Sequence, residues 1–375
     1  MTFPFSITII ALLFSFFVAG ALLGALFSEV FRKTIVSLAR SLHNPILRPG
    51  TSPWTAEAVL NPAAAVLGGR THLIYRAIGT DGVSRLGYAS GADGIVFDER
   101  LPYPIYAAQN PSGVPEHRRR YSPVMYPSGG SWGGCEDPRM VVIDERVYVT
   151  FNMFDNWKLR VGMISMGKED FFAKRFDHWE GPITLSHGDR EKNWTLFPEK
   201  IGGKFAVLHG IIDPDDARVR IEYADDLETL SQKYFETIDP QQVPDKPIAW
   251  HTHVRSAGPP PIKTDKGWLV LYHANDAQEP HRYKLGAMLL DLADPTRVLC
   301  RAAAPLLVPD ERYENDGKPG IVYACGAVVN GEKLFVYYGG ADKVVCVATA
   351  PLDTFLDTLD KGGQTSLTAA PTQTT

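Results

Sequence analysis

Trp268-Leu269-Val270-Leu271-Tyr272-His273, a turn, then Leu285-Gly286-Ala287-Met288-Leu289 and Asp291-Leu292: this stretch decides the fold. Two short apolar runs bounded by polar and glycine-bearing turns read as a β-hairpin. The unit recurs. Upstream stand Leu73-Ile74-Tyr75-Arg76 with Leu86-Gly87-Tyr88-Ala89, then Val147-Tyr148-Val149-Thr150 with Val161-Gly162-Met163-Ile164. Phe205-Ala206-Val207-Leu208-His209 pairs with Val219-Arg220-Ile221-Glu222-Tyr223, and Leu334-Phe335-Val336-Tyr337-Tyr338 with Val344-Val345-Cys346-Val347-Ala348. Five hairpins at a period of roughly 60–75 residues suit four-stranded blades stacked around an axis. A lone hairpin cannot bury both faces, and stacking buries them. A β-sandwich is the rival, but its turn signals come every ~8–12 residues without the longer repeat. The expectation is an all-β, five-bladed β-propeller over residues 44–360.

Bulk properties narrow the function. The chain has 375 residues, 45% hydrophobic and 22% charged, which is an ordinary globular composition. A net charge of −5 excludes the basic footprint of a nucleic-acid binder. Cys135, Cys300, Cys325 and Cys346 show no CxxC spacing. They read as reduced thiols, neither a disulfide framework nor a zinc site.

The N-terminus differs. Thr2 to Ser28 carries no charged side chain, and residues 7–27 are dense in Leu, Phe, Ile, Val and Ala. About 20 apolar residues cross a ~30 Å hydrocarbon core. Residues 1–28 are therefore expected to be a retained transmembrane helix, with a cleaved signal peptide as the competing reading. Arg32, Lys33, Arg40 and Arg48 follow the span and place the body on the cytoplasmic side of a single-pass protein. Residues 29–43 read as a juxtamembrane helix or linker and 361–375 as a disordered tail. Gly20 and Gly24 form a GxxxG, a weak signal that leaves room for a homo-oligomer.

The first run of several units ends in a polar or aromatic residue: Arg76, His209, His273, Tyr338. Taken as innermost strands, these ends ring the channel of a propeller. Trp132-Gly133-Gly134-Cys135-Glu136-Asp137-Pro138-Arg139 sets two acids, a rigid proline and an arginine after a flexible pair. Such a loop can aim a carboxylate at a ligand with a cation beside it. Lys192-Asn193-Trp194-Thr195-Leu196-Phe197-Pro198-Glu199-Lys200 runs into His209 and adds cations, an imidazole and an aromatic. No metal is expected: His251 and His253 alternate on one side of an extended run but lack a third ligand in clear spacing.

These residues give the chain a family look. It resembles glycoside hydrolase family 130, the mannoside phosphorylases and related β-mannosidases, from Asn44 to about Phe355. The ordered motifs are Asn44-Pro45-Ile46-Leu47, Asn61-Pro62-Ala63-Ala64, Tyr75-Arg76-Ala77, Glu136-Asp137-Pro138-Arg139, Leu196-Phe197-Pro198-Glu199-Lys200, Gly258-Pro259-Pro260-Pro261-Ile262, Tyr272-His273, Tyr283-Lys284-Leu285-Gly286-Ala287 and Tyr337-Tyr338-Gly339-Gly340-Ala341-Asp342.

The resemblance implies a glycoside-cleaving enzyme with an oligosaccharide substrate. It implies Asp137 as general acid, acting through the sugar 3-hydroxyl. It puts Lys192, His209 and, more loosely, Arg160 around inorganic phosphate, which is then a co-substrate with no other cofactor. Arg76, Glu136, Arg139, His273, Tyr338 and Asp342 are the expected sugar-binding residues. Two departures keep alternatives open. Gly210 follows His209 where phosphorylases often carry arginine, and Glu222 stands where many relatives are small or apolar. A hydrolytic member would use a glutamate base, here Glu199 or Glu222. A non-catalytic, membrane-tethered sugar-binding propeller would need neither acid nor base.

Overall fold

The computed structural model describes residues 37–108, 119–211, 219–230 and 253–362. A short strand, β1 (Ala39–Arg40), comes first. Five antiparallel meanders follow. The first is β2 (Ala58–Leu67), β3 (Arg70–Ile78), β4 (Val83–Gly91) and β5 (Glu99–Arg100). The second is β6 (Gly133–Ile143), β7 (Arg146–Phe154), β8 (Leu159–Gly167) and β9 (Glu180–Thr184). The third is β10 (Glu191–Leu196), β11 (Phe205–Ile211) and β12 (Val219–Ala224). The fourth holds β13 (His253–Ala257), β14 (Ile262–Thr264), β15 (Gly267–Asn275), β16 (Lys284–Leu290) and β17 (Val298–Arg301). The fifth is β18 (Val322–Asn330), β19 (Lys333–Gly340) and β20 (Val344–Pro351), with β1 paired to β20.

The leading strands form a ring. β2 packs on β6, β6 on β10 and β10 on β13, while β14 and β15 reach β18, which returns to β2. That cyclic order makes the meanders the blades of a propeller. An apolar layer fills each gap. Between the first and second blades lie Ile74, Tyr88, Val149 and Phe151, and between the fifth and first Leu73, Tyr75, Phe335 and Tyr337. Ring closure is also polar. Arg40 Nε and Nη2 donate to the two carboxylate oxygens of Glu314 at 2.8 and 2.9 Å, and Asn44 exchanges hydrogen bonds with the backbone of Val347.

The repeated hairpins of the sequence are the second and third strands of each blade: β3–β4, β7–β8, β11–β12, β15–β16 and β19–β20. The innermost strands are different ones, β2, β6, β10, β13 and β18. Each carries a register shift at a matching place: Leu60/Ala63, Glu136/Arg139, Lys192/Thr195, Val254/Ser256 and Ala324/Gly326. A β-bulge inserts an unpaired residue and re-aims its side chain. Because it breaks the period-2 alternation, these strands are the ones pattern reading passes over.

The sequence reading is corrected on its membrane anchor. No helix among the described residues is long and apolar enough to cross a membrane. The longest, Leu352–Gly362, has 11 residues, about 16 Å against a ~30 Å core. The helix expected over residues 7–27 lies outside the described residues, and the single-pass placement with a cytoplasmic body is not retained. Ala39–Arg40, read within a juxtamembrane segment, is a strand of the last blade. The helix Leu352–Gly362 has no counterpart in the sequence reading; it buries Phe355, Leu356 and Leu359.

Candidate active site

Three of the five bulges place a polar residue at positive φ: Asn61 at 46°, Asp137 at 50° and Asn193 at 65°. Asn and Asp tolerate this left-handed region better than other residues with a side chain. The Pro62 and Pro138 that follow have no N–H to lose from the ladder. Gly339 completes the approach. A Cβ there would lie 2.1 Å from Asn61 Oδ1, so only glycine lets β19 pass the first bulge.

The first two bulges meet at one carboxylate, while Asn193 exchanges hydrogen bonds with Asn152. Asp137 Oδ1 accepts from Asn61 Nδ2 at 2.7 Å and from Arg76 Nη1 at 3.2 Å. Arg76, 2% exposed, spends its remaining donors nearby. Nη2 donates to Glu136 Oε1 at 2.9 Å and to the Ser128 carbonyl at 2.7 Å, and Nε donates to Ser84 Oγ at 2.9 Å. Ser128 Oγ donates to Glu136 Oε2 at 2.7 Å. One buried guanidinium thus serves two buried carboxylates, and a lone buried charge of either sign is strongly disfavoured.

The two acids respond differently. Burial alone would push Asp137 up, but Arg76, the Asn61 hydrogen bond, Arg139 and Lys192 hold it below the ordinary carboxylate range. Burial pushes Glu136 up to about 7, against the pull of Arg76 and helped by the charge of Asp137. Asp342, at φ 52° on the turn after β19, is also raised by burial, opposed by Lys318 and Arg76. Its Oδ2 stands 3.5 Å from Lys318 Nζ.

Lys192 acts on both Glu136 and Asp137, and Asp342 on Arg76, so Arg76, Glu136, Lys192 and Asp342 all lie in electrostatic range of Asp137. Arg139 joins them as a strut. Its guanidinium donates to the carbonyls of Asp137, Gly258 and Ala257 at 2.9, 2.8 and 3.3 Å, fixing the second bulge against the fourth blade. His273 is a buried support. Its Nε2 accepts from the Ala324 N–H at 2.8 Å and its ring stacks on Tyr323 at 4.0 Å. Burial and the nearby Arg139 push it down to about 3, so it is neutral.

Other expected residues lie apart. Tyr338 is buried and donates to Glu314 at 2.8 Å, within the ring closure. Arg160 shares Asp189 with Lys158 on the half-exposed rim, at 2.5 and 3.0 Å. Glu199, its side chain 45% exposed, pairs with Lys263 at 2.6 Å. Glu222, on the third strand of its blade, faces His187 Nε2 at 3.7 Å. The backbone of His209 lies on β11, where the adjacent Gly210 pairs with Lys192; its side chain and that of His253 lie outside the described residues, as does His251.

The sequence reading left Asn61, Ser84, Ser128 and Cys325 out of the site. The signal for Asn61 was present: Asn61-Pro62 repeats the polar-residue-then-proline pattern of Asp137-Pro138. Cys325 stands in the fifth bulge, fully buried, its thiol pushed up to about 12 by burial, with Asp137 and Asp342 among the charges around it.

The site is a buried acid pair with cations on an axial bulge of a propeller, and comparison with known proteins gives the family. Residues 40–361 match the family described as β-1,4-mannooligosaccharide phosphorylase. The chain belongs to glycoside hydrolase family 130. It is 35% identical over 328 residues to a 1,2-β-oligomannan phosphorylase of Thermoanaerobacter sp. (strain X514), covering 84% of this chain and 97% of that protein. A β-1,2-mannobiose phosphorylase of the same organism is 33% identical over 330 residues, covering 83% and 96%. The fold matches the β-1,2-mannobiose complex of the Listeria innocua β-1,2-mannobiose phosphorylase with a TM-score of 0.65 at 23% identity, over 86% of this chain and 99% of that one. The chain is an enzyme acting on β-mannosides, of the glycoside phosphorylase class.

Proposed function

We propose inverting phosphorolysis of a β-linked mannoside at the axis, giving α-mannose 1-phosphate, with Asp137 as the acid and Lys192 as part of the phosphate site. The observation that carries this reading is Asp137 itself. It is a carboxylate on an axial bulge, gripped by Asn61 and Arg76 and in electrostatic range of the Lys192 cation.

In the reaction a phosphate oxygen attacks the anomeric carbon as the bond from that carbon to the glycosidic oxygen breaks. The leaving oxygen takes a proton from the sugar 3-hydroxyl, which takes one from Asp137. Arg76, Asn61, Arg139 and Lys192 favour the ionised form of Asp137. A phosphate dianion beside Lys192 neutralises that cation and adds negative charge, and both effects raise the carboxyl toward its protonated form. Glu136, whose proton is lost only near neutrality, lies on the same guanidinium. Arg76 and Asn61 keep the acid in place, and such fixed geometry lowers the barrier by orienting the reacting groups.

Hydrolysis would need a carboxylate base on the far side of the sugar. Glu199 is half-exposed and paired with Lys263, and Glu222 faces His187 from an outer strand; neither is among the residues grouped around Asp137. The test is incubation with a panel of β-mannobioses, with and without inorganic phosphate. Mannose 1-phosphate that forms only with phosphate is the expected result. Free mannose at the same rate without phosphate would make the enzyme a hydrolase and Lys192 a misread residue.

A further inference from the structure

The turn between β7 and β8 carries Trp157, a residue with no part in the axial cluster. The residue is 82% exposed, a costly placement for a large apolar ring. The turn is well made. Asp155 Oδ1 accepts from the backbone N–H groups of Trp157 and Lys158 at 2.9 and 2.7 Å, and Asp155 N donates to the Lys158 carbonyl at 3.2 Å. Leu159 N then donates to the Asp189 carbonyl at 2.8 Å, tying the turn to the segment that leads into Lys192. The indole is thus held out on an ordered loop.

Register places that loop at the catalytic end of the blade. Glu136 pairs with Asn152 and Gly134 with Phe154. A Cβ on Gly133 would meet the Phe154 carbonyl at 2.7 Å. Trp157 follows Asn152 by five positions, so at ~3.3 Å per residue its backbone stands no more than about 17 Å from that of Asn152. The connection that brings Ser128 to Glu136 arrives at the same end and exposes Val124 and Met125. Lys158 and Arg160 follow Trp157 in the chain and share Asp189, which puts polar groups on the same loop and the strand it opens. An exposed aromatic face with polar neighbours matches a pyranose ring, which offers a C–H face and a rim of hydroxyls.

We propose that Trp157 is a stacking platform for sugar units of the β-mannoside chain beyond the two that flank the cleaved bond, and that it sets a preference for longer chains. The inference rests on the proposed function for the nature of the ligand. It concerns binding at the rim and leaves the chemistry at Asp137 untouched.

The experiment compares the full chain, Trp157→Ala and Trp157→Phe on β-mannobiose and β-mannotetraose of one linkage, with phosphate present. Trp157→Ala is expected to raise the tetraose KM about fivefold to tenfold, a loss typical of one well-placed contact. The mannobiose KM and both kcat values should stay within about twofold, and Trp157→Phe should restore most of the loss. Calorimetric titration of the same sugars into Asp137→Asn, with and without Trp157→Ala, reads binding without turnover. A weaker tetraose alone, in a parent that makes no mannose 1-phosphate, would remove the phosphorolysis reading and keep this one. Equal shifts for both sugars, no shift for either, or a change in sedimentation that marks Trp157 as a contact between copies would overturn it.

Discussion

Arg76→Met is the substitution whose outcome follows most directly from the geometry. It keeps much of the side-chain volume and removes the one guanidinium that both Glu136 and Asp137 contact. Breaking a buried pair by deleting one partner costs about 3–5 kcal/mol, because the remaining charge is left uncompensated. Here two carboxylates are left, and the Ser128 carbonyl and Ser84 hydroxyl also lose a donor. The cost depends on pH. Glu136 has its folded-state value raised to about 7. Its contribution to stability is therefore fully present below its unfolded value and is lost as pH rises through about 7. Without Arg76 that value rises further, so Glu136 in the variant stays protonated across neutral pH. The deficit should be about 3–5 kcal/mol at pH 9 and smaller by about 1–2 kcal/mol at pH 6, at 1.36 kcal/mol for each unit of differential shift. Urea unfolding at pH 6, 7.5 and 9 measures it. Adding Glu136→Gln should recover part of the loss at pH 9. A deficit under about 0.5 kcal/mol, or one that is flat with pH, would refute the view that Arg76 balances two buried charges.

Three further outcomes are expected. Asp137→Asn should lower kcat by about 10²–10⁴-fold with the fold retained; unchanged turnover would remove Asp137 from the acid role. Lys192→Ala should raise the phosphate KM more than the mannoside KM, because it deletes binding of one substrate, and initial rates on a two-substrate grid will show it. Arg40→Ala should destabilise the ring closure by about 2–3 kcal/mol, toward the low end for a buried pair since Arg40 is partly open to water while Glu314 is not; a double-mutant cycle with Glu314→Gln isolates the pair.

Much of the fold was legible because the second and third blade strands are regular. Leu73–Tyr75, Val147–Val149 and Trp268–Tyr272 are uninterrupted apolar runs, buried but for the half-buried Tyr148, and their recurrence announced blades before any contact was known. The local acid motif was legible for the same kind of reason: Glu136-Asp137-Pro138-Arg139 is contiguous, so its chemistry sits in one place in the chain. Placing Tyr338 at the channel failed because β19 was taken as an innermost strand. Glu199 looked available because no sequence pattern reports that Lys263, 64 positions away, reaches it.

By itself, then, the amino-acid order determined a recurring β-hairpin body and one carboxylate motif, since both are set by nearest neighbours and local periodicity. Only the tertiary structure decided which strands line the axis. Bulges at Asn61, Asp137 and Asn193 bring residues from three blades toward one point, and a bulge erases the alternation by which a strand is recognised. Only the packing of the first blade on the second decided that Asn61 and Arg76 share the Asp137 carboxylate across 76 and 61 positions of chain. Those contacts exist because burying each blade against its neighbours forces the circle shut, and a buried carboxylate must then find its partners there.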